Sequence, residues 1–236
     1  MGRAGLAPGS DAGAWVAIRH CAAFHSLGSD LVSPKGEPAL MKTLVVHCHP
    51  NPDSFNHALY RTALEALSPR HTVKAIDLYA EGFDPTLTRE ERIAYLDNPD
   101  LIRERVKPHV EALLWAEHLV FVFPTWFHGP PSMLKGWLER VWLPGVAFLP
   151  AQRKGQIAKS GLRHIQRLTV VTTGGSPRWF VMVIGDPGRR LFTRALRALF
   201  AWRCKVTWLQ LHDMNAVTAS DRSHFIERVS HKLGSI

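Results

Sequence analysis

Short apolar runs alternate along this chain with longer stretches in which apolar residues return every three or four positions. The runs lie at residues 44–48, 73–78, 119–123, 168–171 and 206–211. Each is short and nearly continuous, which predicts a strand buried on both faces. The intervening stretches read as helices. From 54 to 67, Phe55, Leu59, Ala63, Leu64 and Leu67 form one stripe, with Ser54 placed to cap its start and Ser68-Pro69 to end it. Further helices are expected near 88–96, where Glu90 and Glu91 follow a Thr88 cap, and at 101–117. Others are expected at 131–141 with Pro in the first turn, at 187–201 and at 218–233. Residues 83–100 are otherwise a polar excursion, and 143–161 is a loop rich in Gly, Pro and basic residues. Five strands alternating with helices predict an α/β fold, a parallel sheet with right-handed crossovers.

Three of these strands end in segments that carry chemistry. His49-Pro50-Asn51-Pro52-Asp53-Ser54-Phe55-Asn56 follows the first, Phe123-Pro124-Thr125-Trp126-Phe127-His128-Gly129 ends the third, and Thr172-Thr173-Gly174-Gly175 follows the fourth. In an open parallel sheet such loops meet at the carboxyl edge, where ligands bind. Backbone N–H groups at the start of the Ser54 helix favour an anion, and His49 and Asn56 can donate further bonds. The aromatic run suits stacking on a flat heteroaromatic ring. Gly174 and Gly175 permit close approach, so their N–H groups are expected to reach the carbonyl side of such a ring. An anionic tail joined to a flat ring describes a flavin. Each segment also has a plain reading: a capped helix with an incidental His, aromatics plugging a sheet edge, and an ordinary turn.

Segments 41–60, 119–142 and 168–176 resemble the flavodoxin-like NAD(P)H:quinone oxidoreductase family, which includes the ancillary subunits of glutathione-gated potassium efflux systems. The most specific piece is Phe123-Pro124-x-Trp126-Phe127 with Leu134-Lys135-Gly136-Trp137-Leu138-Glu139-Arg140-Val141. The likeness spans 41–236 and none of 1–40. It implies a flavodoxin-like three-layer sandwich, a five-stranded parallel sheet of order 2-1-3-4-5, with FAD or FMN at the carboxyl edge and NAD(P)H as co-substrate. It also implies ping-pong hydride transfer to a quinone or similar acceptor, in a homodimer whose partner completes the ring pocket; the cysteine usage, three widely spaced residues without a CxxC pair, makes a reducing cytoplasm the default. Eight Trp are consistent with a large apolar interface.

On this resemblance His49, Ser54, Phe55 and Asn56 hold the cofactor's phosphate region. Pro124, Thr125, Trp126 and Phe127 line the flavin ring, and Thr172, Thr173, Gly174 and Gly175 form the turn at its edge. Arg222, with Glu227 in the same frame, aligns with an arginine that contacts the adenosine part of FAD; a solvated helix arginine is the plain alternative. His128 stands where the family has an aromatic. The family's tyrosine and histidine that assist flavin reduction should fall near Phe180 and Asp186, and neither is kept. That leaves the Gly174 and Gly175 N–H groups and, by position, Arg178 to stabilise charge on the reduced ring; Arg178 alternatively meets an NADPH phosphate or solvent. A second class of function is a flavin-binding regulatory subunit of a membrane transport system, with little turnover of its own. It would dock through the basic helix, where Arg190, Arg194 and Arg197 share one side and Leu191, Ala195, Leu196 and Leu199 pack inward.

Composition adjusts this picture at a few points. The chain has 236 residues, 46% of them hydrophobic, and 29 Lys and Arg against 20 Asp and Glu, a net charge of +9. That excess favours anionic partners, phosphorylated cofactors included, but a nucleic-acid partner has only the net charge behind it and none is expected. No apolar stretch approaches the roughly 20 residues that cross a bilayer. Cys21, Cys48 and Cys204 form no CxxC pair, so neither a disulfide framework nor a structural zinc site is indicated. In a strand His47 and His49 share one face with no acidic or Cys partner beside them, so no metal is expected there. Residues 1–40 hold three basic and three acidic residues, so the net charge resides in 41–236. Their apolar stretch at 14–18 is too short for a secretory signal. They read either as a disordered extension or as a segment ahead of a true start at Met41, since Lys35-Gly36-Glu37 can be encoded by a purine-rich stretch resembling a bacterial ribosome-binding site. Residues 41–236 are expected to form one flavin-binding domain.

Overall fold

The computed structural model describes residues 40–236, so both readings of the 1–40 segment lie outside the described residues, Leu40 apart. Along the chain run β1 (Met41–His47), α1 (Phe55–Leu67), β2 (His71–Asp77), α2 (Arg89–Ala94), α3 (Asp100–Arg105), α4 (Lys107–Trp115) and β3 (His118–Pro124). Then come α5 (Ser132–Val141), the two-residue strands β4 (Phe148–Leu149) and β5 (Lys159–Ser160), β6 (Arg167–Thr173), α6 (Arg178–Val183), α7 (Pro187–Arg190), β7 (Lys205–Leu211) and α8 (Ala219–Gly234). The main sheet has the order β2-β1-β3-β6-β7, every pairing parallel. Strands β4 and β5 pair only with each other, so this is the expected 2-1-3-4-5 order of the five long strands.

The runs lack polar alternation because both faces of the central strands are covered. Leu44, Val46, Phe121, Phe123, Leu168 and Val170 face one core, which Leu113 of α4, Trp137 of α5 and Phe192 fill from outside. Val45, Val120, Val122 and Val171 face the other, where Leu59, Ala63 and Leu67 of α1 meet Phe225, Val229 and Leu233 of α8. A strand buried on both sides reads as continuous hydrophobicity. The ends of α1 and α8 are set by Ser54, whose hydroxyl accepts from the His57 N–H, and by Thr218, which forms a capping box with Asp221.

Four expectations need correction. The 101–117 helix is two helices, broken at Val106 (φ −116°, ψ 22°), because Pro108 has no N–H to continue the first one's ladder. The 143–161 loop contains the β4–β5 hairpin. Helix α6 was not foreseen: Trp179, Met182 and Val183 are exposed on it, so no polar face marks a helical period. The 187–201 helix begins as α7, widens to a π-helical turn over Leu191–Leu196 and tightens to a 3-10 turn over Arg197–Leu199. That change of register buries Phe192 and leaves Ala195 exposed, where a regular helix would have packed it.

The polar excursion after β2 is tied down at two points. A capping box joins Thr88 to Glu91 at the start of α2. Pro85 lies so close to α5 that a Cβ at Gly136 would fall 2.4 Å from the Pro85 Cβ, so glycine is needed there for the approach itself.

Candidate functional site

The first loop is built by its own side chains. Asn51 Oδ1 accepts from the Asp53 N–H (2.8 Å), and the Asn51 N–H donates to His49 Nδ1 (3.1 Å). His49 Nδ1 lies equally close to the Asn51 carbonyl (3.1 Å), so Asn51 holds the ring through Nδ1 in either tautomer and Nε2 is left to face outward. Ser54 Oγ accepts from the His57 N–H at 3.1 Å, so its own proton is free to donate outward. Helix α1 starts here with its first N–H groups unpaired within the helix, an arrangement that favours an anion. Asn56, 3% exposed, has neither Oδ1 nor Nδ2 hydrogen-bonded. Phe55 is half-buried, with its ring 6.5 Å from that of Phe225, so it anchors α1 on α8.

The second and third loops enclose a cleft of about 380 Å³ lined by Thr125, Trp126, Phe127, His128, Gly174, Gly175, Ser176, Val181, Asp186 and Gln210. Thr125 is held by two bonds to the Thr173 carbonyl, from its N–H (2.7 Å) and its hydroxyl (2.8 Å). Trp126 and Gly129 exchange N–H···O bonds of 3.0 Å across a turn whose central residues, Phe127 and His128, both have positive φ (48° and 61°). Asp186 (47°) and Asp213 (58°) are the other described non-glycine residues in that region, and they sit on the loops at the same edge. Each such residue costs about 1–2 kcal/mol, and strain of this kind concentrates at binding sites. The His49 ring lies 6.2 Å from that of Trp126, which joins the first loop to the cleft wall.

Several expected residues act differently from their sequence reading. Pro124, Thr172 and Thr173 are buried at the strand ends; they position the loops and do not line the cleft. The Gly174 N–H is committed to the Leu211 carbonyl (2.9 Å), so of the two glycine amides only that of Gly175 remains for a ligand. Gly174 contributes its missing side chain instead: a Cβ there would lie 2.8 Å from Thr125 Oγ1 and 3.1 Å from Gln210 Nε2. Arg178, the first residue of α6, is exposed and outside the lining, because Pro177 turns the chain outward into that helix. Phe180 is likewise off the lining, its ring 5.8 Å from that of His128. Arg222 lies exposed on the first turn of α8, one turn before Phe225 and so beside the start of α1.

Gln210, Ser176, Val181 and Asp186 line the cleft without having been singled out. Gln210 was within reach of the same rule, being a polar residue at the carboxyl end of a sheet strand, here the half-buried edge strand β7. Its Oε1 accepts from Trp208 Nε1 (2.9 Å), which leaves Nε2 to donate. Asp186 caps α7 through the Arg189 N–H (3.3 Å). Behind it, burial pulls the His212 imidazole below its ordinary pKa, with Asp186 opposing and Arg178 adding to that shift. Burial also pushes the Cys48 thiol up to about 12 and that of Cys204 to about 11, so neither is a thiolate at neutral pH.

His47 is the last residue of β1, which places His49 beyond the strand; the two do not share a strand face. The partners of His47 come from other elements. Asp77 Oδ2 stands 4.0 Å from its Nε2, and His57 of α1 is also close. Burial lowers the His47 pKa to about 4, against the opposing pull of Asp77.

These features fit a flavin. The two unpaired atoms of buried Asn56 match a phosphate oxygen and a ribityl hydroxyl, and the cleft between Trp126 and the exposed Gly175 admits a flat ring.

The family model for the flavodoxin-like fold matches residues 41–233. NAD(P)H dehydrogenase [quinone] 1 of Cavia porcellus is 33% identical over 159 residues, 58% of this chain and 55% of that protein. Ribosyldihydronicotinamide dehydrogenase [quinone] of Pongo abelii is 31% identical over 156 residues, 59% of this chain and 66% of that protein. The matched part thus spans between about half and two thirds of these relatives. The crystal structure of Smu.1420 from Streptococcus mutans UA159 superposes with a TM-score of 0.71 at 28% identity, covering 83% of this chain and all of that one. No helix among the described residues is long and apolar enough to cross a membrane.

Proposed function

Since the chain belongs to the flavodoxin-like fold family, we propose that it is a flavin-dependent NAD(P)H oxidoreductase that passes two electrons to a quinone or similar acceptor by a ping-pong route. The observation that carries this reading is the joining of an anion-favouring helix start with an orphaned Asn56 to a glycine-floored, aromatic-walled cleft at one sheet edge. A bound flavin would supply the hydride and two-electron chemistry; the protein supplies position and charge. His49, the Ser54 hydroxyl and Asn56 Nδ2 would hold the phosphate region. Thr125, Trp126 and Phe127 would wall the ring, and the Gly175 N–H and Gln210 Nε2 would donate at its edge. Arg178 is left out of this set, since it stands in solvent.

Around the cleft mouth Trp126, Phe127, Trp179, Met182 and Val183 are exposed together, and Phe127 is wholly so. An exposed apolar patch of this kind needs a cover. In this reading a second copy of the chain supplies it and closes the nicotinamide and acceptor site.

The purified protein should be yellow, or take up FAD or FMN with the absorption of an oxidised flavin. It should then oxidise NADH or NADPH at a rate set by added quinone, with parallel lines in double-reciprocal plots. A colourless protein that takes up neither flavin would end this reading. Arg222 favours FAD, because FMN has no adenosine for it to meet. Arg222→Ala should weaken FAD by about tenfold, the scale of a lost charge-assisted bond, and leave FMN binding unchanged. Equal losses for both flavins in a binding titration would remove Arg222 from the site.

A further inference from the structure

Beside the flavin cleft, the carboxyl ends of β1 and β2 and the first turn of α1 bring together two imidazoles and a carboxylate. His47 and Asp77 are register partners at the last positions of β1 and β2. His57 reaches them from α1. Ligand atoms of the three residues all lie within 4.8 Å of one another. We propose that His47, His57 and Asp77 form a binding site for a divalent transition metal of the zinc type.

The orientations of His47 and Asp77 support this. His47 is fully buried, and its Nδ1 donates to the Val122 carbonyl (3.2 Å), which places the ring's lone pair on Nε2. That Nε2 is buried and has no hydrogen-bond partner. It is aimed at the group, and the Tyr60 ring holds the imidazole flat, 4.5 Å away at an interplanar angle of 8°. Asp77 is oriented in the same way: its Oδ1 accepts from the N–H groups of Tyr79 (3.1 Å) and Ala80 (3.2 Å), which turns Oδ2 toward His47. A ligating His fixed through its second nitrogen, and a ligating carboxylate fixed through its second oxygen, are how metal sites orient their donors.

Two imidazoles and one carboxylate suit Zn²⁺ and its neighbours Co²⁺, Ni²⁺ and Cu²⁺; Ca²⁺ and Mg²⁺ prefer oxygen alone. Three protein ligands plus water complete a tetrahedral ion. Bonds of about 2.0–2.2 Å bring tetrahedral donors to roughly 3.3 Å apart, so donors now within 4.8 Å of one another must close by up to about 1.5 Å. His57 and Asp77 are only partly buried and have room to do this, while His47 stays fixed. The site involves neither the cleft lining nor the phosphate-binding side chains, so it stands whether or not a flavin binds.

The test is calorimetric titration of the purified full chain, as isolated and after a chelator wash, with Zn²⁺ alone. X-ray absorption at the zinc edge of the one-to-one sample reads the ligands. One tight equivalent per chain is expected, with two imidazoles and an oxygen in the first shell. His57→Ala and Asp77→Asn should each weaken that equivalent by about 100-fold, the upper end of what losing even a group that only orients a ligand costs. Neither variant touches the buried ring of His47, and melting curves without metal check that both fold. A tight equivalent that survives in both folded variants, a zinc edge without two imidazoles, or no binding tighter than millimolar in the parent chain would each overturn the assignment.

Discussion

Replacing Arg140 by methionine is expected to cost about 3–5 kcal/mol of folding stability, the usual effect of leaving one half of a buried ion pair alone. Glu91 is fully buried. Its Oε1 accepts from Arg140 Nη2 (2.6 Å) and from Arg105 Nη1 (3.1 Å), and its Oε2 accepts from the Thr88 N–H (2.9 Å). Arg105 is half-exposed, so without Arg140 the carboxylate keeps only one well-hydrated partner in a dry setting. The melting temperature should fall by roughly 10 °C. Adding Glu91→Leu to the same chain should restore much of the loss, because removing both charges removes the cost of burying them. Burial by itself would raise the Glu91 pKa, but the bonds from Thr88 and Arg140 and the charges of Arg140 and Arg105 outweigh it and hold it below the ordinary value. A depressed carboxyl stabilises the fold at pH values above the ordinary glutamate pKa, and that help is lost as pH falls through the lowered one. The parent chain should therefore lose stability in acid more steeply than the double variant. Thermal melts across pH 3–7 measure both effects; a single variant as stable as its parent would show that the pair is dispensable.

The two halves of that network were unequally legible. Thr88 and Glu91 could be paired from spacing alone, since a capping box is local. That Glu91 also meets Arg140, 49 residues on, depends on how the excursion after β2 folds over α5, which no periodicity records. The same division runs through the molecule. The five strands follow from their short apolar runs, and their order from the family resemblance. The breaks do not: α6 carries its apolar side chains outward, and the π-helical turn appears where Phe192 must reach Phe123, their rings 5.1 Å apart.

At the site, His49, Ser54, Asn56 and Trp126 could be named because strand ends aim their loops at one edge. What each backbone group does there was hidden. The Gly174 N–H is spent on Leu211, a residue of the neighbouring strand, and only the register of β6 with β7 reveals it. Gln210 and Asp186 enter the cleft for the same reason, since β7 and the loop before α7 close a wall that the three expected loops leave incomplete. The His47–Asp77 pairing is likewise a matter of register, between two strands that start 30 residues apart at Met41 and His71.

Asn56 separates a structural role from a functional one. Its side chain is 3% exposed and both polar atoms lack a partner within the protein. An unsatisfied buried amide costs roughly 1–3 kcal/mol, and nothing in the packing of α1 requires one. Asn56→Leu should therefore raise the melting temperature of the flavin-free protein by several degrees, since it removes the penalty and keeps similar volume. The same change should weaken flavin by about 100-fold or more, because two bonds to the cofactor, one of them to a charged phosphate, would go. Asn56→Asp gives a second reading that is nearly isosteric. It exchanges the donor for a negative charge, so it should weaken flavin at least as much while gaining no stability. Melting curves with and without flavin, together with fluorescence titration of FMN and FAD, measure all of these outcomes. A variant that loses stability in the free protein yet binds flavin as before would mean that Asn56 is satisfied in solution and holds α1 in place. A gain in stability combined with a loss of affinity is the pattern of a residue kept for its ligand at the expense of the fold.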